Sequence, residues 1–150
     1  MKIKLFIGLF CLTFLSNFEM ISSDDSVLIP TVSWSQIAKN MDFIKGKLLP
    51  RWYVVNVLPR DICRDCCIPG SINIPTHLLT YKNSKLKHWP RSAKIVIYCA
   101  GENCPLSKYA FQALTSLGFT DVSVLEGGMR AWRRNMLPTI GRCKSGYLNG

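Results

Sequence analysis

A chain of 150 residues, 48% of them hydrophobic, can bury one substantial core but hardly two, so these residues are expected to form one domain. The formal net charge of +10 is dispersed through Arg51, Arg60, Lys82, Lys94, Lys108, Arg130 and Arg142 among others, which reads as a solvated surface, and no nucleic-acid-binding motif accompanies it. The N-terminal apolar run, residues 5–15, falls well short of the roughly 20 residues that a membrane-spanning helix needs.

Residues 1–23 begin with Lys2 and Lys4, pass through that apolar run and turn polar at Ser16-Asn17 and Ser22-Ser23. They read as a secretory signal peptide, or as an uncleaved anchor, since no Ala-x-Ala-like cleavage site stands out. We therefore expect a secreted or periplasmic protein that touches a membrane only if this segment is retained. The folded domain is expected over residues 27–140, with a C-terminal tail at 141–150 and a monomeric state.

An edge strand at 27–31 precedes Ser33 and Gln36, a capping-box pair that opens a short helix through Asn40. The β-branched run 53–57 predicts a core strand. Residues 59–67 form a polar, cysteine-bearing connection, and Pro69-Gly70 is a turn that releases a short strand at 71–74. Residues 76–86 are helical in part, closed by Trp89-Pro90. Residues 94–98 make the central strand. The best helix spans 105–117, with Pro105 at its first position and Gly118 as its stop. A strand at 122–125 leads through Gly127-Gly128 into a last helix at 129–135, which ends before Pro138. Strand and helix alternate, which predicts an α/β fold with a mostly parallel central sheet, helices on both faces, and ligand sites beyond the carboxyl ends of the strands.

Seven cysteines are many for this length, and removal of Cys11 with the signal leaves Cys63, Cys66, Cys67, Cys99, Cys104 and Cys143. Export permits disulfides. Cys63-x-x-Cys66-Cys67 can be a dithiol site or half of a zinc site. A structural zinc needs four ligands and the second pair is missing, although Cys143 with His77 or His88 would complete the number. A disulfide from this connection to Cys143 is the favoured reading, and we expect neither metal nor cofactor. His77 and His88 carry no motif and read as surface residues, while Trp52, Trp89, Trp132, Phe111 and Phe119 read as core.

Cys99 ends the strand 94–98 and faces the start of the helix at Pro105. Free N–H groups and the positive end of the helix dipole favour an anionic sulfur there, and such sites lower a cysteine pKa from about 8.5 toward 3.5–7.5. Gly101 lets loop amides curl around a single atom. Cys99 is thus the candidate nucleophile. Cys104 is either its redox partner, able to close a Cys99–Cys104 disulfide, or a helix-cap residue.

Three landmarks in order are Cys67-Ile68-Pro69-Gly70-Ser71-Ile72-Asn73-Ile74-Pro75, then Val96-Ile97-Tyr98-Cys99, then the stretch from Gly118-Phe119 to Leu125-Glu126-Gly127-Gly128-Met129-Arg130-Ala131-Trp132. With them the chain resembles the rhodanese-like (sulfurtransferase) domains, in particular single-domain proteins with a Cys-x4-Cys active loop. The resemblance implies that Cys99 carries sulfane sulfur as a persulfide, and that Ala100, Gly101, Glu102, Asn103 and Cys104 complete a substrate-binding loop. It implies as partners a small sulfur donor and a thiol acceptor, either a small molecule or a protein.

The chain also departs from the family pattern. Asn56-Val57-Leu58 stands where Asp-x-Arg is common, Cys67 stands where histidine commonly precedes Ile-Pro-Gly, and the loop has Glu102 and no base, with Lys108 the nearest downstream cation. These departures argue against thiosulfate as donor. Fold-related phosphatases end a longer loop in arginine; with Pro105 and no loop arginine, phosphoryl transfer lacks its charge clamp. Two other readings remain: a non-catalytic binding module, and a thiol–disulfide redox protein using Cys99 with Cys104 or Cys63 with Cys66.

Overall fold

Ile95, Val96 and Ile97 are all fully buried, as expected of a central strand covered on both faces. The computed structural model describes residues 28–42, 47–48 and 52–148. In chain order it holds β1 (Thr31–Val32), α1 (Trp34–Lys39), β2 (Met41–Asp42), β3 (Lys47–Leu48), β4 (Trp52–Asn56), α2 (Arg60–Asp65), β5 (Ile72–Asn73), a 3₁₀ turn (Thr76–Leu78), α3 (Ser84–Lys87), β6 (Lys94–Tyr98), α4 (Pro105–Ser116), β7 (Asp121–Leu125), α5 (Gly128–Arg134) and a final 3₁₀ turn (Gly146–Leu148). The expected signal segment lies outside the described residues. Among those described, no helix is long and apolar enough to cross a membrane.

The sheet runs β1-β7-β6-β4-β5 with every pairing parallel, and β2 and β3 form a separate antiparallel pair. β6 is locked from both sides: it pairs with β4 from Trp52↔Lys94 to Asn56↔Tyr98, and with β7 from Lys94↔Asp121 to Ile97↔Val124. Side chains alternate along a strand, so β6 feeds two cores. Ile95, Ile97 and Cys99 pack with Leu86 of α3 and with Ala110, Phe111 and Leu114 of α4. Val96 and Tyr98 pack with Ile37 of α1 and with Met129 and Trp132 of α5.

Local signals fixed most boundaries. Ser33 and Gln36 form the reciprocal capping box, with Gln36 Oε1 accepting from the Ser33 amide at 2.9 Å. Two expectations need correction, and one element is new. The stretch 59–67 is not a plain connection, because α2 forms there behind Pro59, with Cys63 turned to the interior and the polar side chains of Asp61 and Arg64 outward. The edge strand is β1 at Thr31–Val32, where Thr31 and Val32 find Val124 and Leu125 of β7, and residues 28–30 are not strand. The β2–β3 pair was not foreseen. Of the part-helical stretch 76–86, the 3₁₀ turn and α3 account for the ends.

The C-terminal segment after α5 returns across α2. Trp132 Nε1 donates to the Pro138 carbonyl at 2.7 Å, Cys67 and Ile140 exchange backbone hydrogen bonds at 2.9 Å each, and Cys66 is bonded to Cys143. The sequence favoured a disulfide from this stretch to Cys143, and the structure makes Cys66 the partner. The Asp65 carboxylate accepts from the amides of Ser145 at 2.8 Å and Lys144 at 3.2 Å, and the Ser145 side chain first, then these amides, hold its pKa below the usual carboxylate range.

Candidate active site

Cys99 is the first residue beyond the double ladder of β6, and α4 begins at Pro105 with Cys104 as its N-cap residue. The Cys104 side chain makes no capping hydrogen bond. Between them the loop is gripped by a different helix. The first amides of α5 donate to loop carbonyls, Met129 N to Cys99 O at 2.9 Å and Arg130 N to Ala100 O at 3.0 Å, while Cys104 N closes the arc on Gly101 O at 3.1 Å. This grip requires Gly128. Its φ is 53°, and a Cβ there would lie 2.7 Å from Cys99 O and 3.0 Å from Gly101 N, backbone atoms that cannot yield. Gly128→Ala should therefore cost about 1–3 kcal/mol from the left-handed backbone alone, with the clash added, and should displace the Cys99 loop. Urea unfolding together with the alkylation rate of Cys99 would measure both.

The α5 grip decides what the sulfur meets. Cys99 is 2% exposed, and its Sγ lies 3.5 Å from the Gly101 carbonyl oxygen and 3.7 Å from that of Cys104, with the thiol as donor. The Ser107 hydroxyl, buried in the first turn of α4, donates to Sγ at 2.9 Å. Burial first, and then the adjacent Cys104 thiol, push Cys99 up to about 11 against the opposing pull of Ser107. This corrects the expectation of a lowered pKa within a ring of amides: with Cys99 O and Ala100 O turned to α5, the loop shows the sulfur two carbonyls. In this closed form Cys99 is a thiol at neutral pH. Its alkylation by iodoacetamide should rise about tenfold per pH unit from pH 7 to pH 10 without levelling, since only the thiolate reacts. A plateau above neutrality would instead restore the low-pKa reading.

The rest of the expected loop divides in two. Ala100 is held by α5 through its carbonyl and Gly101 is buried, whereas Glu102 and Asn103 are exposed and Cys104 is partly buried. Arg130, which the sequence offered only as one surface base among many, lies across the loop: a Cβ at Gly101 would meet its Cδ at 3.0 Å, and its Nε donates to the Tyr147 carbonyl. The base-free loop thus has a guanidinium beside it from α5. The signal was available in the position of Arg130, two residues after the Gly127-Gly128 turn. At the end of β4, Asn56 Oδ1 accepts the Leu58 amide at 2.9 Å, as an aspartate there would. Leu58 is 4% exposed in the apolar cluster that includes Cys99 and so supplies no charge.

A cleft of about 390 Å³ lies beside the loop, lined by Gly101, Glu102, Ser107 and Gly127 with Thr31 and Glu126. A larger cavity, about 520 Å³, opens at the opposite end of the sheet among Trp52, Lys94 and Asp121, a strand's length from Cys99. Among the described residues no group of three or more His, Cys, Asp or Glu is placed to hold a metal ion. Cys63 and Cys67 are free thiols. Cys63 donates to Cys67 and so lowers it to about 7, while Cys63 itself is raised by that bond and by burial.

Comparisons with known proteins agree with this parallel α/β architecture. The family model for the rhodanese-like domain matches residues 45–135. The chain belongs to the rhodanese-like domain family. Similar solved structures include a protein from Bacillus halodurans, 26% identical, covering 77% of this chain and 80% of that one with a TM-score of 0.64. The rhodanese-like domain of an Anabaena sp. protein is 26% identical over 78% and 83% of the two chains, with a TM-score of 0.63. A rhodanese-related protein from Thermoplasma volcanium is 26% identical over 74% and 97%, with a TM-score of 0.56. No curated protein matches the chain. Within this rhodanese-like domain, Cys99, Ser107, Gly128 and Arg130 converge on one loop.

Proposed function

We propose that this rhodanese-like domain is a sulfurtransferase that carries sulfane sulfur as a persulfide on Cys99. The observation that carries the reading is the hydrogen bond from the Ser107 hydroxyl to Cys99 Sγ at 2.9 Å, at the carboxyl end of the central strand and the start of α4. A donor persulfide, R–S–SH, gives up its terminal sulfur to Cys99: the Cys99 S–S bond forms, the donor S–S bond breaks, and the Cys99 proton leaves with the donor thiol. An acceptor thiol then takes that sulfur and returns Cys99 to the thiol form. Ser107 steadies the negative sulfur in both steps, and the cleft beside Gly101 and Glu102 is the approach for the donor. Glu102 at its rim disfavours dianionic donors such as thiosulfate. The same reading places the domain outside the cytosol, secreted or periplasmic, where a disulfide such as Cys66–Cys143 persists.

Intact mass after incubation with an organic persulfide tests this. The expected result is the gain of one sulfur atom, mapped to Cys99. No gain, or a gain mapped only to Cys63 or Cys67, refutes it. One observation favours a second reading: the Cys104 thiol is near enough to the Cys99 thiol to push its pKa up, as neighbours in a thiol–disulfide redox protein would be. That reading predicts instead the loss of two hydrogen atoms, two protons and two electrons passing to an added small disulfide that leaves as two thiols, as Cys99 and Cys104 join.

A further inference from the structure

Four cysteines gather where α2 ends. Cys66 follows the helix, is fully buried and is bonded to Cys143, while the free thiol Cys63 lies one turn earlier and the free thiol Cys67 lies next in the chain. Cys143 belongs to the segment after α5, which has neither α-helix nor named strand of its own and rests on α2 through the Cys67–Ile140 bridge and the Asp65 contacts.

Two features mark this docking as held under constraint. Cys143 sits at φ 52°, a left-handed conformation that a non-glycine residue keeps only when its surroundings impose it. Further along, the Tyr147 hydroxyl is buried without a hydrogen-bond partner among the described residues. Yet the Tyr147 carbonyl is what receives Arg130 Nε, and Arg130 lies across Gly101 in the Cys99 loop. A continuous line of contacts therefore joins the disulfide to the active loop.

We propose that Cys66–Cys143 is a second, thiol–disulfide exchange site whose reaction partner is a dithiol reductant, and that its opening releases Tyr147 from Arg130 and uncovers Cys99. The proposal rests on Cys99 being the reactive thiol of the domain. One thiolate of the dithiol attacks Cys143 Sγ, because Cys143 is partly exposed and Cys66 is not. The S–S bond breaks, Cys66 leaves as a thiolate and takes a proton. The second thiolate then displaces Cys143 from the mixed disulfide, so the bridge gains two electrons and two protons and the reductant departs as a disulfide.

The test uses the full chain equilibrated over a series of reduced-to-oxidised dithiothreitol ratios, each sample pulsed with iodoacetamide. Peptide masses give the bridged fraction of Cys66 and Cys143 and the alkylation rate of Cys99 together. The Cys99 rate should climb several-fold as the bridge opens and share its midpoint. A Cys66→Ser, Cys143→Ser double variant should react at the fast rate at every ratio, and Arg130→Ala should react fast with the bridge still closed. A Cys99 rate indifferent to the bridged fraction overturns the proposal, as does a redox response that survives in the double variant, since that response would come from Cys99 and Cys104. The wild-type titration and Arg130→Ala decide the matter if the double variant does not fold. Alkylation reads Cys99 whether or not it accepts sulfur, so a rate that follows the bridge in a protein that gains no sulfur refutes the sulfurtransferase reading alone.

Discussion

A Cys99→Ser protein should take up no sulfane sulfur, and cyanide-dependent transfer from an organic persulfide should fall by at least about 10³-fold. A serine hydroxyl does not accept sulfane sulfur, so the covalent step has no other atom at this position. The fold should survive the change, because Cys99 is 2% exposed, serine is smaller, and Ser107 remains to bond with the new hydroxyl. Thermal melting by circular dichroism serves as the control. If more than about a tenth of the activity remains, the chemistry resides on another thiol, and the partly exposed, more acidic Cys67 becomes the first to examine.

Removing the bridge through Cys66→Ser with Cys143→Ser should lower the free energy of unfolding by about 2–4 kcal/mol in urea. The two cysteines are 77 residues apart, so the bridge closes a long loop and restricts the unfolded chain strongly. Against a total of about 5–15 kcal/mol for a domain of this size, most of the protein stays folded at room temperature. Reduced wild type should show the same displacement of its urea midpoint. Equal midpoints for oxidised and reduced protein would mean that the C-terminal segment holds its place by hydrogen bonds and packing alone.

β6 and α4 were legible before any coordinates, because their signals are local: an unbroken apolar run at 95–97, Pro105 in a first helical position, Gly118 at the stop. The capping box at Ser33 was legible as a four-residue pattern, and cysteine arithmetic favoured a link from the 59–67 stretch to Cys143, but which of Cys63, Cys66 and Cys67 it joins was not legible. α2 was hidden because its segment is mostly polar and begins at a proline, and only Ile62 and Cys63 turn toward the interior. The pair β2 and β3 consists of two-residue strands, too short for any period to declare itself. The largest difference concerns Cys99. Its position at a strand end and helix start was correct, but whether amides or carbonyls face the sulfur depends on the α5 grip, a contact between residues some thirty positions apart. Arg130 was obscured in the same way: one base among nineteen carries no label until the Gly-Gly turn brings it over Gly101.

That grip has a mechanical corollary. With Cys99 and Ala100 tethered by their carbonyls to α5, and Pro105 staked in the first turn of α4, the arc of four residues from Gly101 to Cys104 is left without a backbone bond to α5. Its outer lip carries the Glu102 carboxylate. On the proposed function, so short an arc suits a slender sulfur chain better than a bulky anion.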